Sequence, residues 1–165
     1  MAVYTPLADK DITTFLSHYN VGTLASAQGI AEGIENTNYL VRTASGGNAH
    51  KYILTIFEQR VKADDLPFFM SFTEWLADRK IPCPRPVRGK DGNYIYRLKG
   101  KPAALIEFIE GRGSPNITHY HLRQLGELVA RMHIAAEGFP GARANALSLA
   151  GWRKLSAGIG GRADD

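Results

Sequence analysis

The sequence predicts an α+β chain: an antiparallel sheet of five or six strands with one inserted helix, then a change to helices beyond residue 111. Three observations lead there. Between residues 23 and 109, short runs of apolar and β-branched residues alternate with turns rich in glycine, asparagine and proline. Inside that region, Asp64 to Lys80 carries its apolar residues at helical spacing instead. From Thr118 onward only helical spacing is found.

Taken in order, Ile12, Phe15, Leu16 and Tyr19 fall at i, i+3, i+4 and i+7, which marks an amphipathic helix over Ala8 to Tyr19, stopped at Asn20-Val-Gly22. Leu24 to Ile30 and Tyr39 to Val41 then read as a hairpin around Gly33-Ile-Glu-Asn-Thr-Asn38. Ser45-Gly-Gly-Asn48 turns the chain into Lys51 to Glu58, a nearly continuous apolar strand that completes a three-stranded meander. Asp64 and Asp65 are candidate caps for the next helix. Pro67 sits in its first turn, and Phe68, Phe72, Trp75 and Leu76 form its stripe. Pro82, Pro84 and Pro86 force an extended run into a strand near Val87. Turns at Gly89–Asn93 and Gly100–Pro102 then bracket strands over Tyr94–Leu98 and Ala103–Ile109. Gly111-Arg-Gly-Ser-Pro115 breaks the pattern, dividing the chain into residues 1–111 and 112–165. Thr118 opens a helix with Leu122, Leu125, Val129 and Met132 on one side, closed by Gly138-Phe-Pro140. The glycine-rich tail from Ser156 to Asp165 is expected to fray.

A chain of 165 residues with a charged share of 22 % is ordinary for a folded protein. Its net charge of +4 is scattered rather than blocked. That pattern suits a solvated basic edge or a site for a small polyanion. It gives no module for nucleic acid. Cys83 is the only cysteine, so no intrachain disulfide forms and a reducing, cytoplasmic setting is expected. His119 and His121 are spaced i, i+2 and do not share a helix face for a metal. No apolar run approaches the roughly 18 residues that span a bilayer. The hairpin loop allows two readings. Gly33 and the asparagines suit an ordinary turn, and they equally suit a loop that turns backbone N–H groups towards an anion.

The segments Gly29-Ile-Ala-Glu-Gly-Ile-Glu-Asn-Thr-Asn38, Tyr52-Ile-Leu-Thr-Ile-Phe-Glu58, Asp65-Leu-Pro-Phe-Phe69, Ile81-Pro-Cys-Pro84 and Asn145-Ala-Leu-Ser-Leu-Ala-Gly-Trp152 resemble bacterial homoserine kinases of the aminoglycoside phosphotransferase and choline kinase superfamily. The resemblance covers essentially the whole chain. It implies a protein kinase-like N-lobe followed by the first helix of a truncated helical C-lobe. It also implies transfer of the ATP γ-phosphoryl group to the hydroxyl of L-homoserine, a step of threonine biosynthesis. Under it Gly33, Glu35, Asn36 and Asn38 lie over the phosphates, and the Glu107 carbonyl and Ile109 N–H meet adenine. Thr55 occupies the slot where relatives carry a third-strand cation. Arg42, Lys51 and Arg60 are candidate substitutes, with no choice among them. Glu74 is the inserted-helix glutamate, expected to face solvent, with pairing to such a cation as the alternative. His133 is implied to be a packing residue.

The family's His-Gly-Asp-Leu-Phe-x-Asp-Asn loop and later Asp-Phe pair are not in the sequence. This chain is therefore expected to carry no catalytic residue and no Mg2+ ligand, to resemble an N-terminal half, and to be inactive alone. Its 118–136 helix is expected to leave an apolar face open to self-association. Two alternatives stand beside this: a non-catalytic nucleotide-binding or interaction module, and a kinase acting on choline, an aminoglycoside or a sugar.

Overall fold

The computed structural model describes residues 3–58 and 62–159. Strands β1 (Thr23–Ile30), β2 (Asn36–Ser45), β3 (Asn48–Phe57), β4 (Ile95–Leu98) and β5 (Lys101–Glu107) form one antiparallel sheet in the order β1-β2-β3-β5-β4. The helices are α1 (Asp9–Leu16), α2 (Leu66–Asp78), α3 (His119–Ala136) and α4 (Leu149–Ile159), of which α1 and α2 pack on the sheet.

The expected meander is β1-β2-β3. Gly46 and Gly47 turn β2 into β3 with φ of 56° and 82°. Both signs suit the two-residue hairpins whose twist matches the strands.

One sheet face is sealed by α1. Ile12, Phe15 and Leu16, with Tyr19 just past the helix, pack on Tyr39, Val41, Leu54, Ile56, Ala103 and Leu105. Leu54, Ile56 and Leu105 are 0 % exposed. Side chains of that kind contribute about 1.5–3 kcal/mol each on full burial. The helix start is fixed by Asp11, which accepts the Ala8 N–H at 3.0 Å and pairs with Lys99 Nζ at 2.7 Å.

The other face is covered by α2 at one corner only, where Leu66 and Met70 meet Phe57 and Ala104. This revises the expected stripe. Phe68, Phe72 and Trp75 turn the other way and surround Phe139, with ring centroids 5.7, 5.0 and 5.5 Å away. Trp75 Nε1 donates to the Ala135 carbonyl at 2.7 Å, so this second face of α2 holds α3.

Three further expectations change. The strand near Val87 shrinks to a bridge between Pro86 and Ile106, because prolines supply no N–H to lengthen the ladder. Asp65 caps nothing. A 3-10 turn, Ala63–Asp65, leads straight into α2 and gives Asp65 helical angles, and its carboxylate pairs with Arg143 at 2.9 Å. Residues 156–159 of the expected frayed tail belong to α4, and residues 160–165 lie outside the described residues. Thr118 precedes α3 as expected, its N–H donating to His121 Nδ1 at 3.1 Å. Among the described residues no helix is long and apolar enough to cross a membrane.

Candidate nucleotide site

Opposed residues on antiparallel strands share a face. The register therefore lays three rows across the face that α2 covers only at its Ala104 corner. Ile30, Asn38, Thr55 and Ala104 form the first row, and Gln28, Leu40, Ile53 and Ile106 the second. Ser26, Arg42 and Lys51 form the third. Residues 31–35 connect β1 and β2 at the first-row end. The segment after β5 leaves at the third-row end, where Phe108 N–H donates to the Lys51 carbonyl at 3.2 Å. The two regions suggested by the sequence thus bound one sheet face from opposite ends.

Gly33 sits in the connecting loop with φ of 100°, and a Cβ there would meet nothing within 4 Å. The residue is needed for backbone angle, not for space. Asn36 and Asn38 belong to β2 itself, so the loop is shorter than the sequence suggests. Glu35 remains in the loop and is exposed. Asn38 and Thr55 come together as cross-strand partners, with Thr55 Oγ1 donating to Asn38 Oδ1 at 2.8 Å. This bond holds the Asn38 carboxamide oxygen against the sheet.

At the other end, Glu107 N–H is committed to the Arg85 carbonyl at 2.8 Å, while the Ile109 N–H makes no hydrogen bond among the described residues. An open cleft of about 340 Å³ is lined here by Lys51, Tyr52, Glu107, Phe108 and Glu110. Lys51 Nζ contacts Glu110 Oε1 at 2.5 Å and lies 5.5 Å over the Phe108 ring.

The floor between the two ends is Leu40, Ile53 and Ile106, all half-buried. A planar aromatic ligand matches such a floor, with one end of the face lined by polar backbone and the other by the loop. The sequence reading did not single these three out. Their apolar alternation has the same appearance as that of the buried face.

Arg42 and Lys51 stand in the row farthest from the loop, and Arg60 lies outside the described residues. Glu74 follows Leu66 and Met70 at i+4 spacing on the sheet-facing side of α2, but it is engaged there by Arg88 and Tyr94, and its side chain is only 19 % exposed, so it does not face solvent as expected. It accepts from Arg88 Nε at 2.9 Å and Nη2 at 2.5 Å, and from Tyr94 Oη at 2.5 Å. The Arg88 hydrogen bond, helped by Tyr94 and opposed by burial, holds the Glu74 carboxyl below its ordinary value. Burial and the Glu74 contact push the Tyr94 hydroxyl up to about 12.

His133 is exposed rather than packed, because α2 is the neighbour of α3 and its outer faces meet water. Leu122 and Leu125 on α3 are 56 % and 58 % exposed. Among the described residues no group of three His, Cys, Asp or Glu side chains converges to hold a metal.

A five-stranded antiparallel sheet with a helix inserted between its third and fourth strands, leading into a helical segment, defines the N-lobe of kinase-like phosphotransferases. Residues 26–161 match the phosphotransferase enzyme family, and the chain belongs to that family. It is 48 % identical over 165 residues to a homoserine kinase of Chelativorans sp. and 46 % identical over 163 residues to one of Paramagnetospirillum magneticum. These matches cover 100 % and 99 % of this chain but 50 % and 49 % of the relatives, so the chain spans about half their length. Among solved structures it resembles spectinomycin phosphotransferase in complex with ADP and spectinomycin, with a TM-score of 0.66 at 18 % identity over 96 % of this chain and 48 % of that one. It also resembles a microcompartment-associated aminopropanol kinase, with a TM-score of 0.57 at 21 % identity over 87 % of this chain and 47 % of that one. At such identities the likeness is one of fold.

Proposed function

We propose that this chain is the nucleotide-binding, N-terminal half of a homoserine kinase, an enzyme that moves the γ-phosphoryl group of ATP to the hydroxyl of L-homoserine. The observation that carries the reading is identity near one half with homoserine kinases along the whole chain, joined to an open sheet face with a glycine loop at one end. Adenine rests on Leu40, Ile53 and Ile106, with the Glu107 carbonyl and the Ile109 N–H as its edge partners. The backbone of residues 33–38, with Gly33, Glu35, Asn36 and Asn38, covers the phosphates, and Thr55 steadies Asn38 from below.

Phosphoryl transfer depends on positioning and charge neutralisation. This half supplies the positioning. Among the described residues no three His, Cys, Asp or Glu side chains converge on a site for Mg2+. Residues 1–111 form the nucleotide lobe and 112–165 begin a helical lobe. They meet through Trp75, Phe139 and the Asp65–Arg143 pair. The setting is cytoplasmic, with neither nucleic acid nor membrane as partner.

The test is titration of the protein with a fluorescent ADP analogue, followed by incubation with ATP, Mg2+ and L-homoserine. Saturable nucleotide binding with no ADP released above blank is the expected result. Absence of binding overturns the site, and sustained homoserine-dependent turnover overturns the assignment of catalysis to the other half.

A further inference from the structure

Residues 3–7 cross the sheet on the face opposite the candidate nucleotide site and are fastened there by several hydrogen bonds. Tyr4 and Thr5 N–H groups both donate to Thr37 Oγ1, at 2.9 and 3.1 Å. Leu7 N–H donates to Tyr39 Oη at 2.9 Å, and Tyr39 Oη donates to the Thr5 carbonyl at 3.3 Å. Thr5 Oγ1 and Thr37 Oγ1 both donate to Glu58 Oε1, at 2.8 and 2.7 Å. Lys101 Nζ donates to Thr5 Oγ1 at 2.8 Å and also contacts Glu58 Oε2. The Glu58 side chain is only 9 % exposed. Burial works to raise its pKa, but the hydrogen bonds from Lys101, Thr37 and Thr5 together outweigh it and hold the carboxyl below its ordinary value. At Gly29 a Cβ would come 3.0 Å from Val3 Cγ2, so the bare glycine lets the segment lie close over β1.

Among the described residues, Tyr4 of this anchored segment reaches the loop, its Oη donating to the Ile34 carbonyl at 3.1 Å. We propose that residues 3–7 act as a strap that positions the 31–35 loop from behind the sheet, with Thr37 and Glu58 as the anchor and Tyr4 as the arm that touches the loop. Thr37 is the second residue of the strand that leaves the loop, so one hydroxyl fixes both the strap and the loop's exit. The consequence for ligand rests on the nucleotide reading above. The ordering of the loop does not.

Limited proteolysis by a glutamyl endopeptidase tests the two separately, since Glu32 and Glu35 lie in the loop while Glu110 and Glu137 are exposed elsewhere and serve as internal controls. Tyr4→Phe removes only the arm. It is expected to raise cleavage after Glu32 and Glu35 about threefold to tenfold, as loss of one hydrogen bond to an exposed loop implies, with the controls and melting temperature unchanged. Thr37→Val is expected to raise it further, and Thr37→Ser to restore the parent rate by keeping the hydroxyl. A fluorescent ADP titration of the same variants should show weakened affinity in the same order. Unchanged loop cleavage in Tyr4→Phe overturns the strap, whatever Thr37→Val does. Raised cleavage with unchanged ADP affinity upholds the strap and counts against the nucleotide reading.

Discussion

Replacing Glu74 by glutamine separates two roles that kinase-like folds tempt one to merge. In the structure the carboxylate receives two hydrogen bonds from Arg88 and one from Tyr94, and so ties α2 to the segment entering β4. Charged hydrogen bonds are worth about 1.5–3 kcal/mol when sheltered. The Arg88 side chain is 52 % exposed, so solvent screening reduces its share. A net loss of about 1.5–2 kcal/mol is the expected result, and at roughly 2–4 °C per kcal/mol it lowers the melting temperature by about 3–8 °C. The pH dependence follows in sign. Because Glu74 titrates below the ordinary 4.5 when folded, its stabilisation is complete above about that pH and fades as the pH falls through the depressed value. Melting curves of parent and Glu74→Gln should therefore differ at pH 7 and converge in acid. Nucleotide affinity should stay the same, since the carboxylate points to Arg88 and not to the row beneath the loop. A large loss of ADP affinity at unchanged melting temperature would refute this reasoning and place Glu74 in the site.

Two further outcomes are expected. Gly33→Val meets no clash but must hold a β-branched residue at φ 100°, a strain of about 1–3 kcal/mol. Relief of that strain by loop movement should weaken ADP binding roughly fivefold or more with little change in melting temperature, and equal affinity would show that the loop does not touch ligand. The open face of α3 should make the parent protein bind a hydrophobic dye and self-associate in sedimentation. Changing Leu122 and Leu125 together to glutamate should abolish both while shifting stability by about 0.5 kcal/mol or less. A parent that sediments as a clean monomer without dye binding would falsify this.

What the sequence made legible was set by local rules. The α1 stripe of Ile12, Phe15, Leu16 and Tyr19 has one partner surface, so its period alone names the buried residues. The Gly46–Gly47 turn and the Thr118 helix start are likewise properties of a few adjacent residues. The α2 stripe was not legible in the same way. Phe68, Phe72 and Trp75 have the right spacing, but the ring they enclose, Phe139, comes from a distant segment, and the sheet takes Leu66 and Met70 instead. Asp65 failed as a cap because the preceding turn gave it helical angles, which no residue preference reveals. At the site, Gly33 announces itself by type, whereas the Leu40, Ile53 and Ile106 floor exists only through register across three strands. The Glu58 anchor joins residues 53 apart in sequence, and no pattern within either segment foretells it.

The register also bears on which group neutralises the ligand's charge. Lys51 lies four residues from Thr55 along β3, about 13 Å at the rise of a strand. That exceeds the screening length of about 8 Å at physiological ionic strength, and Glu110 offsets the lysine's charge at 2.5 Å. Lys51→Met should therefore alter ADP affinity less than about twofold. Thr55→Val acts where Lys51 does not. It removes the donor that fixes Asn38 Oδ1, frees the carboxamide to turn, and should weaken ADP binding by about threefold to tenfold, the factor expected for one hydrogen bond. If the loop's backbone N–H groups and the Asn38 amide are the anion's partners, raising the salt concentration will change affinity only weakly, because fixed dipoles release no counterions. The opposite ranking, with Lys51→Met the more damaging and a steep salt dependence, would put the phosphates at the Glu110 end and reverse the direction in which the nucleotide lies on the sheet.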